Sequence, residues 1–383
     1  MSSYSSDIFH ELSEYTAPSW IGDLKILPKR QVTLAVKPTP IHRWNITEIP
    51  EDYTIYIKRD DLTGCSLSGS KVRKLEFLLA DAMVKGYKSV ITGGTTQSNH
   101  SRATLVAARQ LGLDCHLVLR SREEIGESYS TSGNFMMMEA GSPNIYILPW
   151  QPFTTETFEN YIKHLAKYIG ETTKSIPYHI PCGGDNELAI FGYISAWEEL
   201  MKQKVHERYD DIVFANGTSG TAIGLGIGNY LTGSKLKIHP VLTSSTIELV
   251  QDKMDKTLCR FGLDVKSKDL FDIIDGYIGG GYNVYTKKDV IINQSTIRTT
   301  GIYCDPVYVG KALKGLKTEL RINPGRFKGK RILFIHTGGT FGMMEKDIAK
   351  IIHTNESTKR IKQWCDVFPT FINTESVDCL RTK

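Results

Sequence analysis

The chain lacks the cysteine patterns that staple a small secreted fold or hold a metal. It has seven cysteines in 383 residues, an odd number with no C-x-x-C pair. Such usage argues against a disulfide framework or a zinc site and points to reduced thiols in a reducing compartment; no metal is expected. No apolar run approaches the length of a membrane span. The first residues, M-S-S-Y-S-S-D-I-F-H-E-L, show neither the basic segment nor the long apolar segment of a secretory leader. The cytoplasm is therefore the expected location. Charge of one sign is not in large excess: 47 Lys and Arg against 42 Asp and Glu give a net +5, with the two signs interspersed. No nucleic-acid partner and no membrane surface are implied. Internal repeats and low-complexity tracts are absent. So are the G-x-x-x-x-G-K-[ST] loop and the G-x-G-x-x-G fingerprint, which leaves nucleoside triphosphates and dinucleotides poorly supported.

What is present is the composition of a soluble globular enzyme, 40% hydrophobic and 23% charged, on a chain long enough for two lobes with substantial cores. Strand-like apolar runs occur at Tyr53–Ile57, Ser89–Ile91, Cys115–Leu119, Ile145–Leu148, Ile212–Ala215, Ile238–Leu242 and Arg331–Ile335. Helix-like segments lie between them at Lys71–Lys85, Ser101–Gly112, Thr155–Ile169, Glu187–Lys204, Thr221–Leu231 and Thr246–Gly262. Alternation with crossovers of this length predicts an α/β protein whose parallel sheets carry helices on both faces. The tail after Phe341 carries no legible chemistry, and its end is expected at the surface.

Three loops carry the chemistry. The stretch Y-I-K-R-D-D-L-T-G-C-S-L-S-G-S-K, Tyr56 to Lys71, runs from a strand through a Gly/Ser-rich loop to a lysine at a helix start. The helix dipole does not favour a lysine there. A lysine that attacks a carbonyl must lose its proton, and a cationic, partly buried helix N-terminus lowers its pKa. Taken alone, that window favours a solvated surface lysine beside Arg73 and Lys74. The second loop, S-V-I-T-G-G-T-T-Q-S-N-H-S-R from Ser89 to Arg102, leads from a strand through a polar turn into a helix. The third, D-I-V-F-A-N-G-T-S-G-T-A-I-G from Asp211 to Gly224, offers successive backbone N–H groups and hydroxyls at a helix start, the design of a phosphate cup. A Gly-rich turn for tight packing is the competing account. An aldehyde-reactive lysine together with a phosphate cup asks for pyridoxal 5′-phosphate, which needs both.

With K-P-T-P-I-H (Lys37 to His42) and D-P-V-Y-V-G-K-A-L (Asp305 to Leu313), these loops make five motifs in order from about Pro38 to Gly339. The set resembles the 1-aminocyclopropane-1-carboxylate deaminase/D-cysteine desulfhydrase family. The resemblance implies a two-lobed, parallel-sheet pyridoxal phosphate enzyme of the tryptophan synthase β-subunit type. Residues 1–83 and 184–383 would form the large cofactor-binding domain, with 84–183 inserted as the small one, and a homodimer is expected. Lys71 is matched to the lysine that holds the cofactor and then acts as a base. The residue before it is Ser70 where the family usually has Asn, and serine can cap the helix. Ser98 and Asn99 match the family's active-site pair: Asn99 for the cofactor's 3-oxygen, Ser98 and the following N–H groups for the substrate carboxylate. Gln97 and His100 fall in the same substrate-binding turn; His100 is not taken as catalytic. Gly217, Thr218, Ser219, Gly220 and Thr221 would form the cup, with Lys74 adding a cation. Tyr282 and Tyr308 match the family's two active-site tyrosines. A phenol that hands over a proton at neutral pH needs its pKa lowered by a neighbouring cation.

The family contains different reactions. In the cyclopropane deaminases the D-P-V-Y motif is followed by Glu, and the closing strand ends in H-L-G-G. In the desulfhydrases a neutral residue follows, and the strand ends in H-T-G-G. This chain has Val309 and His336-Thr337-Gly338-Gly339. A carboxylate at the ring nitrogen makes the cofactor the strong electron sink that cyclopropane opening demands. A hydroxyl from Thr337 suffices when thiolate leaves from the β-carbon. The expectation is a β-eliminating lyase acting on a small amino acid, D-cysteine first, in D-amino acid breakdown. A different β-substituted amino acid and the cyclopropane acid are the alternatives within the class. A non-catalytic amino-acid or pyridoxal phosphate sensor is the alternative outside it, and such a protein has no need of Lys71.

Overall fold

The computed structural model describes residues 9–121, 132–149 and 154–353. Two sheets organise it. The first runs, edge to edge, Lys237–Leu242, Asp211–Asn216, Arg331–Ile335, Thr54–Lys58 and Ile41–Arg43. Its first four strands are parallel; Ile41–Arg43 closes the edge antiparallel. The second sheet is parallel throughout, in the order Asn144–Pro149, Asp114–Ser121, Ser89–Thr95 and Tyr178–His179. All six residues of Asp211–Asn216 are buried, as expected of a strand covered on both faces.

Parallel pairing fixes where the loops go. Ile335 lies beside Lys58 on one side and Phe214 on the other. The carboxyl ends of three strands therefore meet at one edge, and the Lys71 loop, the 217–221 loop and the His336–Gly339 loop all leave from it. Open α/β sheets place their ligand sites at such an edge.

The helices over this sheet pack closely. Ser70–Val84, Glu187–Lys202 and Gly220–Leu231 approach through glycines: a Cβ on Gly192 would lie 2.4 Å from the Arg73 carbonyl, and one on Gly228 would lie 2.2 Å from Trp197. Glycine inside a helix costs about 1 kcal/mol against alanine. Here the missing side chain is what lets Arg73 and Trp197 reach their places. Arg73, 1% exposed, is bonded to both oxygens of Asp60 at 2.8 and 3.0 Å and to Glu199 at 2.9 and 3.2 Å. Tyr193 and Thr39 donate to Asp60 as well, at 2.9 and 2.7 Å. This network anchors the helix that carries Lys71 two residues before Arg73.

All seven strand segments read from the sequence are strands, within a few residues at their ends, and the six helix-like segments are helices. Several elements were not anticipated. They include the antiparallel pair Leu12–Glu14 with Arg30–Val32, and the helices Gly133–Ala140, Lys287–Thr300 and Val309–Ile322. Part of the tail is structured too: Lys346–His353 is a helix whose Ile348 packs with Val290 and Met343. The end of the tail, expected at the surface, lies outside the described residues.

Candidate active site

The Lys71 helix begins at Ser70 after Gly69, whose φ of +108° no ordinary residue adopts easily. Gly69 is the cap position and makes no side-chain cap, so the expectation that Ser70 caps the helix is corrected: Ser70 is the first helical residue, and its N–H donates to the Thr337 carbonyl at 2.9 Å. A Cβ on Gly69 would stand 2.9 Å from that same carbonyl. Lys71 is half-buried, and its pKa falls to about 7, first from burial and then from the nearby charge of Lys74. At neutral pH a large share of its amine is unprotonated, the state a carbonyl-attacking lysine requires.

Ser98 ends the strand–turn of the second sheet and caps the helix Asn99–Gln110, its Oγ accepting from the Ser101 N–H at 3.1 Å. The capping account and the active-site account thus meet in one residue. Asn99 is half-buried and lines a cavity of about 340 Å³ together with Gln97, Tyr282, Asp305 and Tyr308. The side chain of Gln97 is committed elsewhere: its Nε2 donates to the Ser132 carbonyl at 3.0 Å and its Oε1 accepts from the Asn134 N–H at 3.0 Å. His100 is 4% exposed, with Nε2 on Thr92 Oγ1 at 2.9 Å and a buried Nδ1 without a partner among the described residues. Burial, then Lys71 and Lys74, push its pKa well down, so the ring is neutral.

The 217–221 loop enters the helix Gly220–Leu231 through Ser219, held at a left-handed φ of +74°. Asn216 Nδ2 donates to Ser219 Oγ at 3.3 Å. A Cβ on Gly220 would lie 2.9 Å from Lys74 Nζ and 3.4 Å from Asp185, so the cup is open only because that residue is glycine. Lys74 is buried with its pKa lowered to about 8, and among the described residues its amine donates only to the Gly183 carbonyl, at 3.4 Å. Lys253, which the sequence reading did not single out, closes the other side. It pairs with Asp185 and donates to the Thr218 carbonyl at 2.8 Å, and burial lowers its pKa to about 8 as well. Three lysines with depressed pKa values and one carboxylate among them leave a deficit of negative charge at a helix N-terminus. The phosphate of pyridoxal phosphate would supply that charge, and its aldehyde would suit Lys71. The residues present fit the cofactor.

The tyrosines sit together. Tyr282 and Tyr308 have ring centroids 6.0 Å apart, their planes tilted by 58°. The Tyr308 ring also borders the cup, 3.5 Å from where a Cβ on Gly217 would lie. The expected lowering of the phenol pKa is not found: burial, then Tyr282, drive that of Tyr308 well up, so it is a neutral donor. Asp305, buried, holds the motif by accepting from the N–H groups of Val307, Tyr308 and Val309 at 3.0, 2.8 and 3.1 Å. Val309, 1% exposed, joins the apolar cluster of Val241, Ile274 and Leu313. Thr337 is half-buried in the loop where His336 accepts from the Gly338 N–H at 3.2 Å through Nδ1 and faces the Tyr303 carbonyl through Nε2 at 2.7 Å. Among the described residues no group of three or more His, Cys, Asp or Glu could hold a metal ion, and no helix is long and apolar enough to cross a membrane.

Residues 32–338 match the family model described as pyridoxal-phosphate dependent enzyme. A bifunctional D-cysteine desulfhydrase/1-aminocyclopropane-1-carboxylate deaminase, mitochondrial, of Arabidopsis thaliana is 37% identical over 87% of this chain and 84% of its own length. A D-cysteine desulfhydrase of Klebsiella pneumoniae is 33% identical over 74% of this chain and 86% of its own. The crystal structure of a 1-aminocyclopropane-1-carboxylate (ACC) deaminase homologue superposes with a TM-score of 0.75 at 32% identity, covering 88% of this chain and 99% of that one. With its lysine, cup and paired tyrosines on the same fold, the chain belongs to the pyridoxal-phosphate dependent enzymes, among the relatives of the ACC deaminases and D-cysteine desulfhydrases.

Proposed function

We propose that the protein is a carbon–sulfur lyase that converts D-cysteine and water into pyruvate, ammonia and hydrogen sulfide. One observation carries the choice among the family's reactions. The position after Tyr308 is an apolar side chain in a packed cluster, and Asp305, the carboxylate nearest to it in the chain, is already committed to three backbone N–H groups. No acid is thereby offered at the ring nitrogen from this segment, and Thr337 is the polar candidate that remains. A ring without a carboxylate partner favours substrates whose β-group leaves readily, as thiolate does. The names of the Arabidopsis and Klebsiella relatives agree with this reading, and the bifunctional relative is why the cyclopropane acid belongs in the test.

In this reading pyridoxal phosphate, when bound, supplies a carbonyl for amines and a ring that withdraws electrons from the α-carbon. Lys71 would hold it and then take the α-proton, a task for which its pKa of about 7 suits it. Asn99 would donate to the 3-oxygen, and Ser98 with the N–H groups after it would bind the substrate carboxylate at the helix start. Residues 217–221, Lys74 and Lys253 hold the phosphate. Tyr308, kept neutral by burial, and the neighbouring Tyr282 would hydrogen-bond the departing sulfur. Residues 84–183, which include all four strands of the second sheet, form the small domain, and the remainder forms the large one. A cytoplasmic homodimer completes the proposal; the five described cysteines are all free thiols, as a reducing compartment allows.

The test is direct. The purified protein should be yellow, and borohydride should trap the pyridoxyl group on Lys71 in a peptide map. Pyruvate and sulfide release is then compared for D-cysteine, L-cysteine and the cyclopropane acid. Faster 2-oxobutanoate from the cyclopropane acid than sulfide from D-cysteine would overturn the substrate assignment, and the label on another lysine would overturn the site.

A further inference from the structure

Arg102 is 1% exposed and meets no carboxylate among the described residues. Its Nη1 and Nη2 donate to the carbonyls of Ser66 and Ser68, the latter at 3.0 Å, in the loop that leads to Lys71. Its Nε donates to Asn134 Oδ1 at 2.9 Å. Asn134, fully buried, donates from Nδ2 to the Gln97 carbonyl at 3.1 Å and to Asn99 Oδ1 at 2.9 Å.

The directions of these bonds follow from chemistry. An arginine Nε–H can only donate, so the oxygen of Asn134 must face it. A backbone carbonyl can only accept, so the nitrogen of Asn134 must face Gln97. That nitrogen then requires the oxygen of Asn99, which turns the Asn99 NH2 group away from Asn134. Among the described residues that NH2 group has no partner, and Asn99 lines the cavity.

We propose that Arg102, Asn134 and Asn99 form a one-way hydrogen-bond relay that presents the NH2 of Asn99, and never its carbonyl, to the cofactor's 3-oxygen and strengthens it as a donor. The relay rests on the placement of Asn99 at that oxygen given under Proposed function. Hydrogen bonds running head to tail polarise one another, and a buried cation without a counter-ion at the head adds to that polarisation. Arg102 and Asn134 are positioning residues. Neither lines the cavity that Asn99 faces.

Asn134→Asp separates this role from simple packing. The shape is kept, and the ion pair that the new carboxylate gains with Arg102 offsets the bond it loses to the Gln97 carbonyl, so the fold should hold. An ionised carboxylate cannot donate, however. Asn99 must then flip to give its NH2 to that carboxylate and turn its own carbonyl oxygen to the cofactor's negative oxygen. A donor at the 3-oxygen matters most when the neighbouring nitrogen has lost its proton. Its loss therefore raises the pH at which the visible band of the Lys71-bound cofactor titrates.

The experiment measures the dissociation constant of pyridoxal phosphate from the apoprotein, the pH midpoint of the visible band, and the melting temperature of the apoprotein. Asn134→Asp should weaken cofactor binding at least about tenfold and raise the midpoint by about one unit, each a tenfold effect, with the melting temperature little changed. Asn134→Ala removes the donor without inverting it; it should move both quantities the same way by less, and it serves if the first variant does not fold. Unchanged binding and midpoint in both variants, with Asn99→Ala weakening binding, would overturn the relay. If Asn99→Ala changes neither, the placement of Asn99 at the cofactor fails, and the relay falls with it.

Discussion

Two arginines of this protein are equally buried, 1% exposed, and could hardly be placed more differently. Arg73 is enclosed by the carboxylates of Asp60 and Glu199, which raise its pKa well above the ordinary value against the opposing effect of burial. Arg102 faces two backbone carbonyls, one amide oxygen and the ring of Phe341 at 4.9 Å, and burial lowers its pKa to about 10. The first is neutralised where it stands and contributes rigidity under the Lys71 helix. The second meets no carboxylate among the described residues, where a fold selected for stability alone would have supplied a partner. Exceptions of this kind concentrate at functional sites.

The comparison predicts unequal costs. Arg73→Met strands two buried carboxylates and should destabilise the protein by about 3–5 kcal/mol. Arg102→Met leaves only neutral acceptors unpaired and removes a charge that burial opposes, so about 1–3 kcal/mol is expected. Urea midpoints of the two variants decide it; equal losses would erase the distinction.

Acid sharpens the same contrast. The carboxyl of Glu199 is held down at about 2, its cationic partners Arg73 and Lys58 outweighing the raising effect of burial; Asp60 is lowered for the same reason. Groups with depressed folded-state pKa values stabilise fully above their unfolded values and lose that contribution as pH falls through the folded ones. The urea midpoint should therefore drop between about pH 4.5 and pH 2. In Arg73→Met, which has already lost the cation, the drop should be smaller. In Arg102→Met it should be undiminished.

Lys74 belongs with Arg102, as a buried cation without a described carboxylate partner. Its charge helps to lower Lys71, so the rate at which the apoprotein captures pyridoxal phosphate should rise with pH through about 7. Lys74→Met should move that midpoint upward while weakening phosphate-dependent binding. A stopped-flow pH series measures both, and a fixed midpoint would show that burial alone sets the Lys71 value. The smallest effect belongs to Thr337→Val, which should slow sulfide release by about 0.5–1.5 kcal/mol, one hydrogen bond, with protein stability little changed.

Much of the frame could be read from residue order, since strands such as Arg331–Ile335 are short apolar runs bounded by turn residues. Lys71, Ser98 and the 217–221 loop were legible because each sits at a strand–loop–helix junction, a local signal. The helix Val309–Ile322 was available but unread: Val309, Ala312, Leu313, Leu316 and Leu320 mark one buried face. The capping box of Thr286 and Asp289 announced another. Asn134 and Lys253 were not legible. Their meaning lies in partners far off in sequence, such as Gln97 and Asp185, and nothing in G-N-F-M-M-M or Q-D-K-M marks them. The phenol of Tyr308 misled for a related reason, because its pKa depends on burial and on Tyr282 rather than on its own motif.

The contact between Gly69 and Gly338 has a consequence for the protein's descent. A Cβ on Gly69 would meet the Thr337 carbonyl at 2.9 Å and the Gly338 Cα at 3.1 Å; a Cβ on Gly338 would lie 2.5 Å from the Gly69 Cα. Each glycine also holds a positive φ, +108° and +101°. Any one-residue change at either place drives a side chain into the other's backbone, and changing both at once worsens the collision. Neither can drift first and be compensated by the other, so the junction between the lysine loop and the threonine loop has no single-step mutational exit. Mutagenic libraries selected for D-cysteine breakdown should recover glycine at both positions.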